Sequence, residues 1–398
     1  MTSFASSCEE VLRGNDRGGH TVPSPRLYPH QWAWDSAFAA IGWAHVAPAR
    51  AWSELGTLMG GQWADGRVPH IKFHDPTADY FPGPDLWGAR DSSTITQPPM
   101  WATAARRVVE VSGLSDALED LLPRFEASHR FFAEQRDPSG IGLVAVSHPW
   151  ESGLDNCPVW DGPLSRIDPG SGPPLRRTDL GAVADAGQRP TEDQYARYMA
   201  IVRAIALDSF GPGPFRVYDP FVSAVLARAE EDLAWLADRL GVQSHAASRA
   251  ARIREALVNH LWDGALGRFV YLDASNGERI TADVIGCYSG LFCGVEEPIA
   301  ARLLEGLEAR YGTRWRLPST APTDPAFDAR RYWRGPVWIN VNWLLGPRMG
   351  LDFVRHTLEL VRTSGIREYF DPLTGEGLGG ERFTWTAALC LDLMATLR

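Results

Sequence analysis

Trp34–Met59 reads WDSAFAAIGWAHVAPARAWSELGTLM, and this stretch decides the fold class. Apolar residues recur at helical spacing along its length, and Pro48 marks a turn between two helices, because a proline cannot continue the one before it. The same kind of segment, amphipathic or buried, recurs at 98–112, 115–135, 190–209, 219–240, 244–262, 283–292, 296–311, 336–346, 351–364 and 383–397. Start and stop residues agree with several of these: Pro190-Thr191-Glu192 and Asp219-Pro220 offer an N-terminal proline and capping side chains, and Gly241 follows 219–240 where a C-cap belongs. Strand signals are few, GLVAV (142–146) and GRFVYLD (267–273). The class is all-α.

About a dozen helices, at about 33 residues per helix with its connection, suit a toroid of paired helices, an (α/α)6 barrel, better than a simple bundle. No low-complexity linker or composition shift divides the chain, so residues 1–398 are expected to form one domain, although length alone allows two or three. Between the helices run the long Gly-, Pro- and Trp-rich stretches 60–97, 137–189, 312–335 and 366–382. Structureless loops of that length inside a compact domain are usually functional, so the active site is expected on them.

Composition excludes several function classes. Lys+Arg 39 against Asp+Glu 49 leaves a net charge of −10, which repels phosphate backbones and anionic lipid, so no nucleic-acid or membrane partner is expected. MTSFASSCEEVLRGNDRGG has no apolar core of a signal peptide and no run of about 18 apolar residues follows, which points to a soluble, cytoplasmic protein. Five cysteines (Cys8, Cys157, Cys287, Cys293, Cys390) without a C-x-x-C pair suggest reduced thiols, with neither a disulfide framework nor a zinc site. The chain carries 16 Trp, many in the Gly/Pro-rich stretches; flat rings with a polar edge suit the faces of a sugar as well as they suit a core.

Three segments could carry chemistry. His148–Asp161, HPWESGLDNCPVWD, sets three acids among two tryptophans after the strand 142–146. A carboxyl flanked by Trp150 and Trp160 is desolvated and stays protonated near neutral pH, as a general acid must, and Asp155 is the natural candidate. The bland alternative has Asp155 and Asn156 capping a turn, Glu151 on the surface and the tryptophans in the core. Arg367–Thr386 holds Glu368, Asp371, Glu376 and Glu381 in a glycine-rich loop. Glycoside hydrolysis needs two carboxyls, one to protonate the leaving oxygen and one to activate water, and two acidic, Trp-bearing loops far apart in sequence can supply them. The flanking glycines point instead to solvated turns for Glu376 and Glu381. Tyr332–Trp343, YWRGPVWINVNW, enters a helix at Pro336 with ring faces and amides at its mouth, Trp343 reading as core. Tyr28–Asp35 is a similar block, in which Asp35 is either a hydroxyl ligand or the N-cap of the following helix.

Other templates fail. His70 and His74 have i, i+4 spacing in a loop next to Pro69, with no third ligand, so no metal is expected. No G-x-S-x-G, no strand-borne G-x-G-x-x-G and no P-loop occurs, and no cofactor is implied.

The blocks YPHQWAWDSAF (28–38), PHIKF (69–73), DYFPGPDLWG (79–88), TITQPP (94–99), WESGLDNCPVWD (150–161), YWRGPVWINVNWLL (332–345) and EYFDPLTGEGLGGERFTWTAALCLDL (368–393) resemble glycoside hydrolase family 63 and its bacterial relatives. They run in order over nearly the whole chain. The resemblance implies an (α/α)6 barrel and an inverting hydrolase of α-linked glucose or mannose derivatives. It places the acid at Asp155, in the E-S-G-x-D-N block, and the base at Glu368, in the E-Y-[FN]-x-P block, a choice the chemistry of the loop leaves open. Within the family, the short chain and DYFPGPDLWG look most like the mannosylglycerate and glucosylglycerate hydrolases. Tyr28, Trp34, Asp35, Tyr80, Gln97, Trp150, Gly153, Tyr332, Trp333 and Trp338 occupy positions expected to line the pocket. A glycerate carboxylate calls for a cation, with Arg189 preferred over Arg334. Cys157 stands where related sequences often have serine. The rivals are an α-glucosidase of neutral disaccharides or trehalose on the same barrel, and a non-catalytic sugar-binding protein. The expected partner is a small glycoside, with a homo-oligomer plausible on base rate.

Overall fold

A computed structural model describes residues 3–397 apart from 76, 77, 79, 90, 171–174, 176, 182 and 184. Parts of the expected loops 60–97 and 137–189, and Asp79 of the DYFPGPDLWG block, lie outside the described residues. The α-helices are α1 (Phe4–Gly14), α2 (Ala33–Val46), α3 (Pro48–Met59), the short α4 (Pro84–Trp87), α5 (Trp101–Ser112), α6 (Leu118–Gln135), the short α7 (Asp161–Ser165) and α8 (Glu192–Leu207). They continue with α9 (Pro220–Arg239), α10 (Ala246–Ala256), the short α11 (Gly290–Cys293), α12 (Glu297–Arg310), α13 (Ile339–Met349), α14 (Leu351–Ser364) and α15 (Thr384–Ala395).

Two kinds of helix sequence make two layers. α2 and α15 are apolar almost all round and are buried along nearly their whole length, so each has to be surrounded. α3 and α14 carry a single apolar stripe, Trp52-Leu55-Leu58-Met59 and Phe353-Val354-Leu358-Val361, and leave the other face to solvent. The contacts follow from this. α2 packs on α5, α5 on α9, α9 on α11, α11 on α13, α13 on α15, and α15 returns to α2, which closes a ring. Outside it, α3 lies on α2, α6 on α5 and α9, α10 on α9, α12 on α11, α14 on α13 and α1 on α15. The fold is a mostly helical barrel. At the closing seam Gly42 meets Ala388: a Cβ there would stand 2.5 Å from the Ala388 Cβ and 2.6 Å from its Cα, so only glycine lets α2 and α15 approach so closely.

Caps fall where the sequence offers them. Asp219 accepts from the N–H groups of Phe221 (2.7 Å) and Val222 (3.3 Å) at the start of α9, Thr191 and Gln194 form a reciprocal capping box on α8, and Gly241 follows α9 with φ +67. Four expectations change. The 283–292 segment is a 3-10 turn (Ile285–Tyr288) followed by short α11, and 244–262 is α10 followed by a π turn (Leu257–Leu261). The 336–346 helix begins only at Ile339, because Val337 is held extended by paired backbone hydrogen bonds with Phe370 (2.7 and 2.9 Å). The expected loop 366–382 is an antiparallel hairpin, Arg367–Phe370 on Gly377–Glu381. Helix α1 adds to the expected set: FASSCEEVLRG is short and serine-rich, and it forms by burying Cys8, Val11 and Leu12, packed on α15. The strand signals at 142–146 and 267–273 become Ala145–Val146, Arg268–Phe269 and Tyr271–Asp273; the first and last belong to a four-stranded antiparallel sheet with Val217–Tyr218 and Arg279–Ile280.

Candidate active site

One end of the ring holds an open cavity. It is built where inner helices begin: Trp34 and Asp35 in the first turn of α2, Gln97 just before α5, Tyr332 and Trp333 ahead of α13, and Phe383 and Trp385 at the start of α15. The first turns of α2 and α15 border it directly, and with them the positive ends of those two helix dipoles.

The loop carrying Asp155 is shaped by local bonds. A 3-10 turn, Pro149–Ser152, ends at Gly153, whose φ of +71 and close approach to Trp34 exclude a side chain: a Cβ would lie 2.6 Å from the indole. Leu154 N–H donates to Ser152 Oγ (2.9 Å) and Trp160 Nε1 to the Leu154 carbonyl (2.8 Å). Asn156 is no turn cap; its Oδ1 accepts from the Trp333 N–H (3.0 Å) and ties this loop to the Tyr332 block. Glu151 is no surface residue either. It is buried against Arg136 (2.8 Å) and accepts from the N–H groups of Ser147 (2.8 Å) and Thr96 (3.2 Å), and against the burial that favours its neutral form these partners hold it below the usual range. Asp155 is thereby presented to the cavity with its carbonyl fixed by the Tyr198 hydroxyl (2.8 Å). Burial pushes its pKa up to about 7, with Arg189 opposing and Glu368 adding to the rise.

Glu368 sits on the first strand of the hairpin and is buried. The Tyr28 hydroxyl donates to its Oε1 (3.0 Å), the Gly380 N–H to its Oε2 (2.8 Å), and Arg189 Nη1 stands 3.7 Å from Oε1. Burial raises its pKa, and Arg189, the Gly380 N–H and Tyr28 restrain that rise. The other acids of this loop have different tasks: Glu376 pairs with Arg330 (2.7 Å), Glu381 with Arg367 (2.6 Å), and Asp371 accepts from the N–H groups of Leu373 and Thr374 in the hairpin turn.

Tyr28, Trp34, Asp35, Tyr80, Gln97, Trp150, Gly153, Arg189, Tyr332 and Trp333 all line the cavity beside the two carboxyls. Asp35 is not the N-cap of α2, which is Trp32; it lies in the first turn, buried, and burial followed by the charges of Glu368 and Asp155 drives its pKa well above the usual range. Gln97 Oε1 accepts from the Trp34 N–H (3.2 Å), which leaves its amide nitrogen for a ligand. Two expected residues stand elsewhere. Trp338 is one layer back, stacked on Trp333 at 3.8 Å and 1°, and Arg334 is paired with Asp161 away from the cavity. The sequence reading missed His70, Tyr195 and Trp385 as lining residues. His70 is held through Nδ1 by the Ser93 hydroxyl (2.6 Å) and stacks on Trp150, while His74 turns to Gln31 (2.9 Å), so the i, i+4 pair diverges. Among the described residues no group of three His, Cys, Asp or Glu side chains could hold a metal ion, and no helix is long and apolar enough to cross a membrane.

Residues 28–386 match the family model of the mannosylglycerate hydrolase MGH1-like glycoside hydrolase domain. The chain belongs to this family. It is 42% identical over 412 residues to mannosylglycerate hydrolase MGH2 of Selaginella moellendorffii, covering 97% of this chain and 84% of that protein. To the glucosylglycerate hydrolase of Mycolicibacterium hassiacum it is 34% identical, over 98% of this chain and 97% of the relative. The crystal structure of the family 63 mannosylglycerate hydrolase from Thermus thermophilus, in complex with Tris and D-glycerate, superposes with a TM-score of 0.94 at 40% identity, covering 98% of this chain and 100% of that one. The protein is a family 63 glycoside hydrolase.

Proposed function

We propose that this hydrolase cleaves the α-glycosidic bond of glucosylglycerate or mannosylglycerate with inversion, releasing the hexose and glycerate. The observation that carries the proposal is the pair Asp155 and Glu368 in one cavity: a carboxyl whose pKa is pushed up to about 7 beside a carboxyl restrained by a guanidinium. Asp155 donates its proton to the glycosidic oxygen as the C1–O bond breaks, and Glu368 takes a proton from the water that bonds to the opposite face of C1. Inversion requires room for that water, a carboxyl separation of about 6.5–9.5 Å. Arg189 supplies the cation for the glycerate carboxylate, and Trp34, Trp150 and Trp333 supply ring faces for the sugar. The ring of helices with its outer layer is read as an (α/α)6 barrel and as one domain, supported by the closed order of packing from α2 round to α15.

Time-resolved proton NMR with α-glucosylglycerate, α-mannosylglycerate, trehalose and α-linked glucobioses tests the proposal. Turnover of a glycerate substrate with the β-sugar appearing first is the expected result. Turnover of neutral sugars alone would remove the carboxylate pocket and keep the carboxyl pair; the α-anomer appearing first would overturn inversion.

A further inference from the structure

Arg189 is placed for more than meeting an anionic aglycone. Its guanidinium is buried and lies 4.2 Å over the Tyr332 ring. Nε donates to Asp179 Oδ2 (3.3 Å), and Asp179 is itself clamped by Arg177 through Nη2 (2.6 Å) and Nε (3.0 Å). Nη2 donates to the Tyr28 hydroxyl (2.9 Å), which donates onward to Glu368 Oε1 (3.0 Å). Nη1 stands 3.7 Å from the same oxygen and has no hydrogen-bond partner among the described residues.

A guanidinium that serves only to capture a carboxylate offers it two parallel N–H groups along one edge. Here the Nε–Nη2 edge is already taken by Asp179 and Tyr28, and the remaining Nη1 faces the catalytic base. One cation thus reaches Glu368 by two routes, directly and through a phenol. The other titratable groups that interact with Glu368 are Tyr28, Tyr332 and Tyr369 and the carboxyls Asp35, Asp155 and Asp179, so that in this set Arg189 alone brings a positive charge to the base.

We propose that Arg189 is a positioning residue for the base: with Tyr28 as its bridge it holds Glu368 ionised and oriented toward the attacking water, whether or not the aglycone is charged. The inference rests on Glu368 being the base of the function proposed above, and it separates from the choice of substrate. α-Glucosyl and α-mannosyl fluorides test it, because fluoride departs without the proton of Asp155 and without any aglycone contact, so their hydrolysis reads the base.

In Arg189→Gln, kcat on the fluorides is expected to fall about tenfold or more on the acid side of the profile and to recover in part as the pH rises. The acid limb of the profile moves to higher pH, which a merely structural defect would not do. Arg189→Lys, which keeps the charge, restores much of the loss. Tyr28→Phe moves the acid limb in the same direction by less, and stands as the test if Arg189→Gln does not fold by circular dichroism; the same limb can be followed on the natural glycoside. An unshifted acid limb and wild-type kcat in these variants, with only KM for an anionic glycoside raised, would overturn the proposal and leave Arg189 a ligand for the aglycone. A shifted limb on the fluorides in an enzyme that ignores both glycerate glycosides would sustain it while removing the proposed substrate.

Discussion

At the residue scale the two carboxyls differ in how legible they are. Asp155 can be nominated from its own surroundings, since Trp150 and Trp160 on either side announce a desolvated acid. Glu368 cannot be told from Glu376 or Glu381 without the family resemblance, because the hydrogen bond from Gly380 and the guanidinium of Arg189 come from positions remote in sequence or hidden by the turn. Asp155→Asn is expected to lower kcat on the natural glycoside about 10²–10⁴-fold while leaving α-glycosyl fluoride hydrolysis near the wild-type rate, which steady-state assays on both substrates would check. The pH profile of the wild type should rise as Glu368 ionises and fall as Asp155 loses its proton at about 7, with the fall absent on the fluoride. The same substitution has a stability consequence. A carboxyl whose folded pKa is about 7 and whose unfolded value is about 4 binds its proton more tightly in the folded state, so wild-type stability is lost as pH rises between those values. Asp155→Asn removes that loss and should be about 2–4 kcal/mol more stable than wild type at pH 8, and no more stable at pH 4, in urea melts. Equal melts at both pH values would place the Asp155 proton elsewhere.

At the element scale, helices with an apolar run of four turns or more are readable with their caps, as α9 shows from Asp219 to Gly241. Elements whose form depends on a distant partner are not. The hairpin 367–381 reads as a glycine-rich loop because three of the five residues of its second strand are glycine, and α1 is only 11 residues long, with its apolar face, Cys8, Val11 and Leu12, packed on α15. Close approach is equally silent in one sequence: Gly42 in AAIGWAHV looks like a weak point of α2, yet it is where α15 comes nearest. Gly42→Ala gains helix propensity of about 1 kcal/mol, which on an exposed helix would stabilise. Against a contact of 2.6 Å to the Ala388 backbone the overpacking outweighs it, and a net loss of about 1–3 kcal/mol is expected, read as a lowered thermal midpoint with the helical circular dichroism of the native state retained. A gain in midpoint would mean that α2 and α15 can slide apart at little cost.

At the scale of the whole molecule, a ring has no free edge, and its closure joins the two ends of the chain: α15 packs on α2, α1 and α14 as well as on α13. Residues of the cavity come from both sides of that seam, with Tyr28, Trp34 and Asp35 before it in sequence and Glu368, Phe383 and Trp385 after it. The toroid can be anticipated from the number and spacing of helices. Which helices form the inner ring cannot be assigned from periodicity, since 283–292 reads as an ordinary helix and supplies only a 3-10 turn and the four residues of α11. Such long-range closure ties the walls of the cavity to the packing of α15 on α2. A chain ending at Phe383 would expose the apolar surface of α2 that α15 covers and would leave the Val22 carbonyl and Asn15 without Thr384, which bonds the first at 2.6 Å and the second at 2.9 Å. Its loss is therefore expected to abolish the sharp thermal transition rather than trim it, giving a species with residual helix, exposed hydrophobic surface that binds a reporter dye, and no turnover. In the intact protein, helix content and activity should disappear together along a urea titration. A truncated chain that still melts cooperatively would show that α13, α14 and α2 can close the ring without α15, and would locate the strength of the barrel in its neighbouring pairs instead of in its closure.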